Sequence, residues 1–150
     1  MMKNTLIIGC GLIGSSLLRA IAHQKISKKI FIYEKSKSNI SKIKKLKLPC
    51  TIIKNFKTVI PKLDLIIFCT PMSEYEKIIL KINNYLLPKT IITDVGSSKE
   101  SSIALIKKKL KKGISWTSSH PISGSEVSGP EFGDGNLFLN KWCILIKEKN

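Results

Sequence analysis

Arginine is nearly missing from this chain. Arg19 is the only one among 26 basic residues, so the net charge of +16 is carried by lysine. Reading of base edges and two-pronged grip on phosphate both favour the planar guanidinium. The lysines are also spread along the whole chain, beside abundant isoleucine and asparagine, as an AT-rich coding bias would leave them on a solvated surface. Nucleic acid is therefore not expected as a partner. What the charge does offer is long-range attraction of anionic small molecules.

The cysteines lack any pattern. Cys10, Cys50, Cys69 and Cys143 form no CxxC pair, and neither His23 nor His120 is spaced to complete a zinc site. This excludes a metal-built fold and a disulfide framework, and leaves buried or loop thiols in a reducing compartment. No apolar run approaches the roughly 20 residues that a membrane span needs. The first residues, MMKNTLIIG, hold one lysine and no small-residue cleavage site, so no signal peptide is expected. The expectation is a cytoplasmic chain with no membrane partner. Its 150 residues make a single domain, 43% hydrophobic, able to bury roughly 68–70% of its unfolded surface without a staple.

What is present is alternation. Thr5–Ile8 and Ile30–Tyr33 read as short buried strands. Between them Ile13, Leu17, Leu18 and Ile21 recur at helical spacing. Ser38–Leu46 reads as a lysine-studded surface helix with Ile40 and Ile43 inward. Leu65–Cys69 is apolar at every position, which marks a central parallel strand covered on both faces. Tyr75, Ile78, Ile79, Ile82 and Leu86 then form one helical stripe, and Ile103, Ile106 and Leu110 another. Thr90–Thr93, Ile114–Thr117 and Trp142–Ile146 are the remaining strands. This order predicts an α/β fold, a Rossmann-type doubly wound and mostly parallel sheet with helices on both faces, forming one dinucleotide-binding domain over residues 1–150. Pro121–Asn136 is rich in Gly, Ser and Pro and has no periodicity, and an irregular stretch of that length inside a compact domain is usually functional.

Gly9-Cys10-Gly11-Leu12-Ile13-Gly14 matches GxGxxG between a predicted strand and a predicted helix, the context that gives the pattern its meaning. Gly9 permits the tight turn, Gly11 lets a pyrophosphate approach the backbone, and Gly14 allows close helix–strand packing. The amides of Leu12 and Ile13 open the helix, where free N–H groups and the positive dipole end favour phosphate. Glu34 ends the second strand about 20 residues on, where a carboxylate accepts hydrogen bonds from the adenosine ribose and repels a 2′-phosphate. That favours NAD over NADP, with Lys35 and Lys37 softening the repulsion. Cys69-Thr70-Pro71 and Asp94-Val95-Gly96-Ser97-Ser98 follow later strands, so both loops are expected to line the cofactor crevice near the nicotinamide. Asp64 precedes its strand and reads as a turn residue at the opposite edge.

The TP after the fourth strand, TDVGSSK after the fifth and SHPISGSEVSGPE in the long loop resemble prephenate/arogenate (cyclohexadienyl) dehydrogenases of tyrosine biosynthesis. The likeness runs from Gly9 to the final strand, and HPxxGxE is its most specific part. It implies an NAD-dependent oxidative decarboxylation of a small-molecule substrate, prephenate or arogenate, to 4-hydroxyphenylpyruvate or tyrosine. It also implies His120 as general base, against the plainer role of a capping or core histidine that His23 fits. Ser97 matches the serine near the nicotinamide and the substrate hydroxyl, although capping a helix is an equally physical role for Ser97 or Ser98. Ser125 and Glu126 match positions lining the substrate pocket, with a surface-loop carboxylate as the alternative for Glu126. The family continues into a helical second domain that forms a homodimer and grips substrate carboxylates. No segment of this chain is expected to serve as that domain.

Two other readings remain at this point. One is the cofactor domain of another dehydrogenase, such as a β-hydroxyacid dehydrogenase, which would use a catalytic lysine further along. The other is a non-catalytic nucleotide-binding sensor, for which retaining both Ser97 and His120 has no purpose.

Overall fold

A computed structural model describes residues 1–146; the expected domain boundary at residue 150 lies outside the described residues. The chain runs β1 (Met2–Ile8), α1 (Leu12–His23), β2 (Ser27–Tyr33), α2 (Lys37–Lys45), β3 (Thr51–Ile52), β4 (Leu65–Phe68), α3 (Tyr75–Ile82), β5 (Ile91–Asp94), α4 (Glu100–Lys109), β6 (Ser115–Pro121) and β7 (Cys143–Ile146). The strands form one sheet in the order β3-β2-β1-β4-β5-β6-β7. All pairings are parallel except β6 with β7. The chain therefore builds outward from β1 in one direction and from β4 in the other. The gap between the carboxyl ends of β1 and β4 is the switch point where ligands of open α/β sheets bind.

Period-two alternation sorts the strand side chains onto two cores. Leu6, Ile8, Ile66, Phe68 and Ile92 join Tyr75, Ile78, Ile79 and Ile82 of α3 and Ile106 of α4. Ile7, Ile30, Ile32 and Ile67 pack with Leu18 and Ile21 of α1 and Ile43 of α2. Leu6–Ile8 of β1 and Ile66–Phe68 of β4 are buried on both faces, and these stretches are apolar without a break, as a doubly covered strand requires.

The helices start and stop for local reasons. Ser36 caps α2 by accepting the Asn39 amide at 3.2 Å. α1 opens on Gly11, and no side chain caps it, so its first amides remain available. Asp64 accepts the amides of Lys3 (2.6 Å) and Asn4 (3.1 Å), holding the amino-terminal edge of the sheet as a turn residue would. These bonds keep its carboxyl below the ordinary aspartate range.

Several expected boundaries move. Leu86 and Leu110 fall past the ends of α3 and α4, in extended backbone, although Leu86 is still fully buried. β6 does not stop at Thr117 but continues through Pro121, because β7 runs back antiparallel and pairs Ser118–Pro121 with Cys143–Ile146. Trp142 lies just before β7 rather than on it and is 83% exposed. Neither Ser97 nor Ser98 caps α4; Lys99 stands at the cap position, and its side chain turns back toward the sheet.

Candidate cofactor and catalytic site

The glycine turn occupies the end of β1 and the start of α1. Gly9 has φ +90°, a conformation that side chains rarely adopt, and a Cβ there would meet the Cys69 carbonyl oxygen at 2.8 Å. Gly14 faces the Gly9 carbonyl so closely that a Cβ would collide with it, which is how α1 seats against the sheet. Gly11 differs from both: nothing lies within 4 Å of where its Cβ would stand. The open side of the turn therefore faces solvent at the crevice, not protein.

Glu34 reaches this turn from the end of β2. Its carboxylate accepts the Cys10 amide at 2.8 Å and the Ser36 amide at 2.9 Å. A carboxylate offers about four lone-pair sites, so acceptor capacity remains for ligand hydroxyls. Lys35 is drawn off to Glu74 in an exposed ion pair, and Glu74 is held below the ordinary glutamate range mainly by that hydrogen bond. Lys37 is exposed.

The next wall is Cys69-Thr70-Pro71, after β4. The Cys69 amide donates to Ile8 (2.8 Å), which brings this segment beside the glycine turn. Thr70 packs its methyl toward Gly9, while its hydroxyl oxygen is buried and finds no partner among the described residues. Burial raises the thiols of Cys10, to about 12, and of Cys69, so both are neutral hydrophobes here rather than nucleophiles. A dinucleotide fits what is present: uncapped helix amides, an open Gly11, an acidic residue at the ribose position and an unpaired hydroxyl.

The third wall joins β5 to β6. His120 lies on β6, paired with Ile144 of β7, and not in the loop beyond a strand end. Its Nδ1 is 3.4 Å from the Val95 carbonyl oxygen. Val95 and Gly96 are half-buried, whereas Ser97 is exposed and makes no hydrogen bond to His120 among the described residues. Ser125 and Glu126 are likewise exposed, and no hydrogen bond or ion pair of the described residues ties either to His120. The structure thus brings His120 to Val95 but does not join Ser97, Ser125 or Glu126 to it.

Beneath this wall lies a buried cluster whose pairing no motif reveals. Asp94, the last residue of β5, is fully buried, and its Oδ2 accepts from Lys99 Nζ (2.6 Å), the Tyr75 hydroxyl (3.1 Å) and the Gly96 amide (3.1 Å). Burial first, and the Asp94 charge second, push the Tyr75 phenol well above its usual range. Asp94 and Lys99 both stand in the TDVGSSK stretch expected at the crevice, but their pairing depends on burial that no local pattern carries.

The long loop crosses back over α1. Arg19 donates to the Pro130 carbonyl (3.1 Å), the Asp134 amide donates to Ser16 Oγ (3.0 Å), and Lys42 pairs with Glu131. Gly133 sits so close to Ser15 and Arg19 that a Cβ would collide with both. Among the described residues no group of three or more metal-ligating side chains occurs, and no helix is long and apolar enough to cross a membrane.

The family model for the nucleotide-binding domain of prephenate dehydrogenase matches residues 17–150. That match begins after the glycine turn, whose reading rests on its own geometry. A cyclohexadienyl dehydrogenase of Zymomonas mobilis is 30% identical over 97% of this chain and 50% of its own length. A prephenate dehydrogenase of Lactococcus lactis is 31% identical over 98% of this chain and 42% of its own length. The chain thus spans about half the length of the curated relatives it matches. The crystal structure of prephenate dehydrogenase from Aquifex aeolicus with hydroxyphenyl propionate and NAD+ superposes with a TM-score of 0.88 at 28% identity, over 99% of this chain and 52% of that one.

Proposed function

This chain belongs to the family of prephenate dehydrogenase nucleotide-binding domains, and from that premise we propose that it is the NAD-binding part of an enzyme that oxidatively decarboxylates prephenate or arogenate. The observation that carries the reading is the His120–Val95 contact at the carboxyl edge of the sheet, on the same edge as the glycine turn. Family membership favours this reading over a β-hydroxyacid dehydrogenase. A pure sensor has no use for a histidine held at that edge.

A bound NAD would supply the acceptor for the hydride on the ring carbon that bears the substrate hydroxyl. The residues of this chain do the rest. The amides of Leu12 and Ile13 and the open face of Gly11 would hold its pyrophosphate, and Glu34 would accept from its adenosine ribose. Cys69, Thr70, Pro71, Val95 and Gly96 wall the nicotinamide end. His120 donates through Nδ1 to the Val95 carbonyl, leaving Nε2 to take the hydroxyl proton. The ring then sheds carbon dioxide as it becomes aromatic. Ser97 orients the substrate hydroxyl, and Ser125 and Glu126 line the outer pocket. The complete enzyme carries a second, dimer-forming domain and acts in the cytoplasm in tyrosine biosynthesis.

Titration of the purified chain with NAD and with NADP, followed by calorimetry, tests the core of this. Saturable binding that favours NAD is the expected result. A folded chain that binds neither nucleotide overturns the proposal.

A further inference from the structure

A buried ion pair is an expensive way to hold a sheet together. Taking both charges out of water costs several kcal/mol per ion, and a well-packed apolar pair often serves stability equally well. Asp94 is fully buried and the Lys99 side chain only 11% exposed, so their placement calls for a use beyond stability. The bonds they make are directional. Lys99 Nζ donates to the Ser119 carbonyl at 2.6 Å, and that carbonyl belongs to the peptide leading into His120. The Ser119 amide donates to Asp94 Oδ1 (3.4 Å), and the Ser119 hydroxyl donates to the Asp94 carbonyl (2.6 Å). Both sides of residue 119 are thereby fixed. On the other strand Asp94 Oδ2 accepts the Gly96 amide, which orients the segment carrying the Val95 carbonyl. One carboxylate thus sets both ends of the contact between His120 Nδ1 and Val95. Gly96 has no room to adapt, since a Cβ there would lie 3.2 Å from Asp94 Oδ2, Met72 Cγ and the Tyr75 hydroxyl alike.

We propose that Asp94, with Lys99 as its counter-ion, is a positioning residue that fixes the ring of His120 with its Nδ1 toward Val95 and its Nε2 toward substrate. The catalytic consequence rests on the reading of His120 as proton acceptor, but the positioning itself does not.

Nitrogen-15 imidazole spectra of the chain test it directly, because its two histidines provide a probe, His120, and an internal reference, His23. In the unmodified chain the Nδ1–H tautomer is expected at His120, and an Nε2–H tautomer overturns the proposal without any variant. In Asp94→Asn and Lys99→Met the His120 resonances are expected to move toward a mixture of tautomers while those of His23 stay in place. Lys99→Arg, which keeps charge and reach, restores the single tautomer. Unchanged His120 resonances in folded Lys99→Met overturn the proposal. Turnover of the complete enzyme distinguishes the two layers: normal kcat in His120→Asn removes the catalytic role and leaves the positioning standing on the spectra.

Discussion

The amide of Cys10 donates to the carboxylate of Glu34 across 2.8 Å, tying the turn between β1 and α1 to the end of β2. One acidic side chain therefore serves both the shape of the glycine turn and the recognition of whatever ribose lies against it. Removing it has two separable effects. In Glu34→Ala the Cys10 amide loses its acceptor in a buried setting, which costs about 1–3 kcal/mol of stability. NAD affinity falls by roughly tenfold or more, about 1.4 kcal/mol per tenfold, while NADP affinity falls less or rises. Denaturant melts and paired nucleotide titrations check both, and an unchanged NAD/NADP ratio would remove Glu34 from cofactor choice.

Gly11 and Gly14 look alike in the motif and differ in the fold. A methyl at Gly14 drives into the Gly9 carbonyl, so Gly14→Ala is expected to lose about 1–3 kcal/mol, the usual cost of overpacking. A methyl at Gly11 meets no protein atom, so Gly11→Ala is expected to stay within about 0.5 kcal/mol of the parent and yet bind NAD at least about tenfold more weakly. Thermal melts and calorimetry on the pair separate the two roles. The assignment fails if Gly11→Ala binds normally.

The thiols give a prediction with a pH sign. Cys10 and Cys69 are raised by burial, so in the folded chain they hold their protons where the unfolded chain, with thiols near pH 8.5, releases them. The native state then binds more protons than the unfolded one. Stability falls as pH rises above about 8.5 and keeps falling toward the raised value near 12 for Cys10. At pH 8 iodoacetamide should label exposed Cys143 first and half-buried Cys50 and Cys69 more slowly, and should spare buried Cys10 until the chain unfolds. Peptide mapping after timed labelling reads this, and early modification of Cys10 contradicts it.

The strap over α1 depends on Arg19, the only arginine. Arg19→Ala removes its bond to the Pro130 carbonyl, and Gly133→Ala forces the strap off Ser15. Both changes are expected to speed hydrogen exchange at residues 129–137 while β1 and β4 stay protected. Arg19→Ala should cost about 1 kcal/mol. Exchange rates in the strap equal to those of the parent would show that other contacts hold it.

What the sequence determined by itself were the features carried by local order. Unbroken apolarity announced β4 as a doubly covered strand, a short apolar run announced the end of β1, and GxGxxG after a strand placed the turn. The distance to Glu34 put a carboxylate at the end of β2. Each is a property of neighbours or of one fixed spacing, so periodicity and stereochemistry suffice to read it. It takes the assembled sheet to place His120 on a strand, because that depends on β7 returning antiparallel from more than 20 residues away. Tertiary packing alone buried Asp94 against Ser119, 25 positions on, and bound Arg19 to Pro130, 111 positions on. Burial of a charge and its choice of partner follow from which strands become neighbours. Until the sheet is assembled, an aspartate after a strand and a lysine before a helix remain two solvated side chains of a loop.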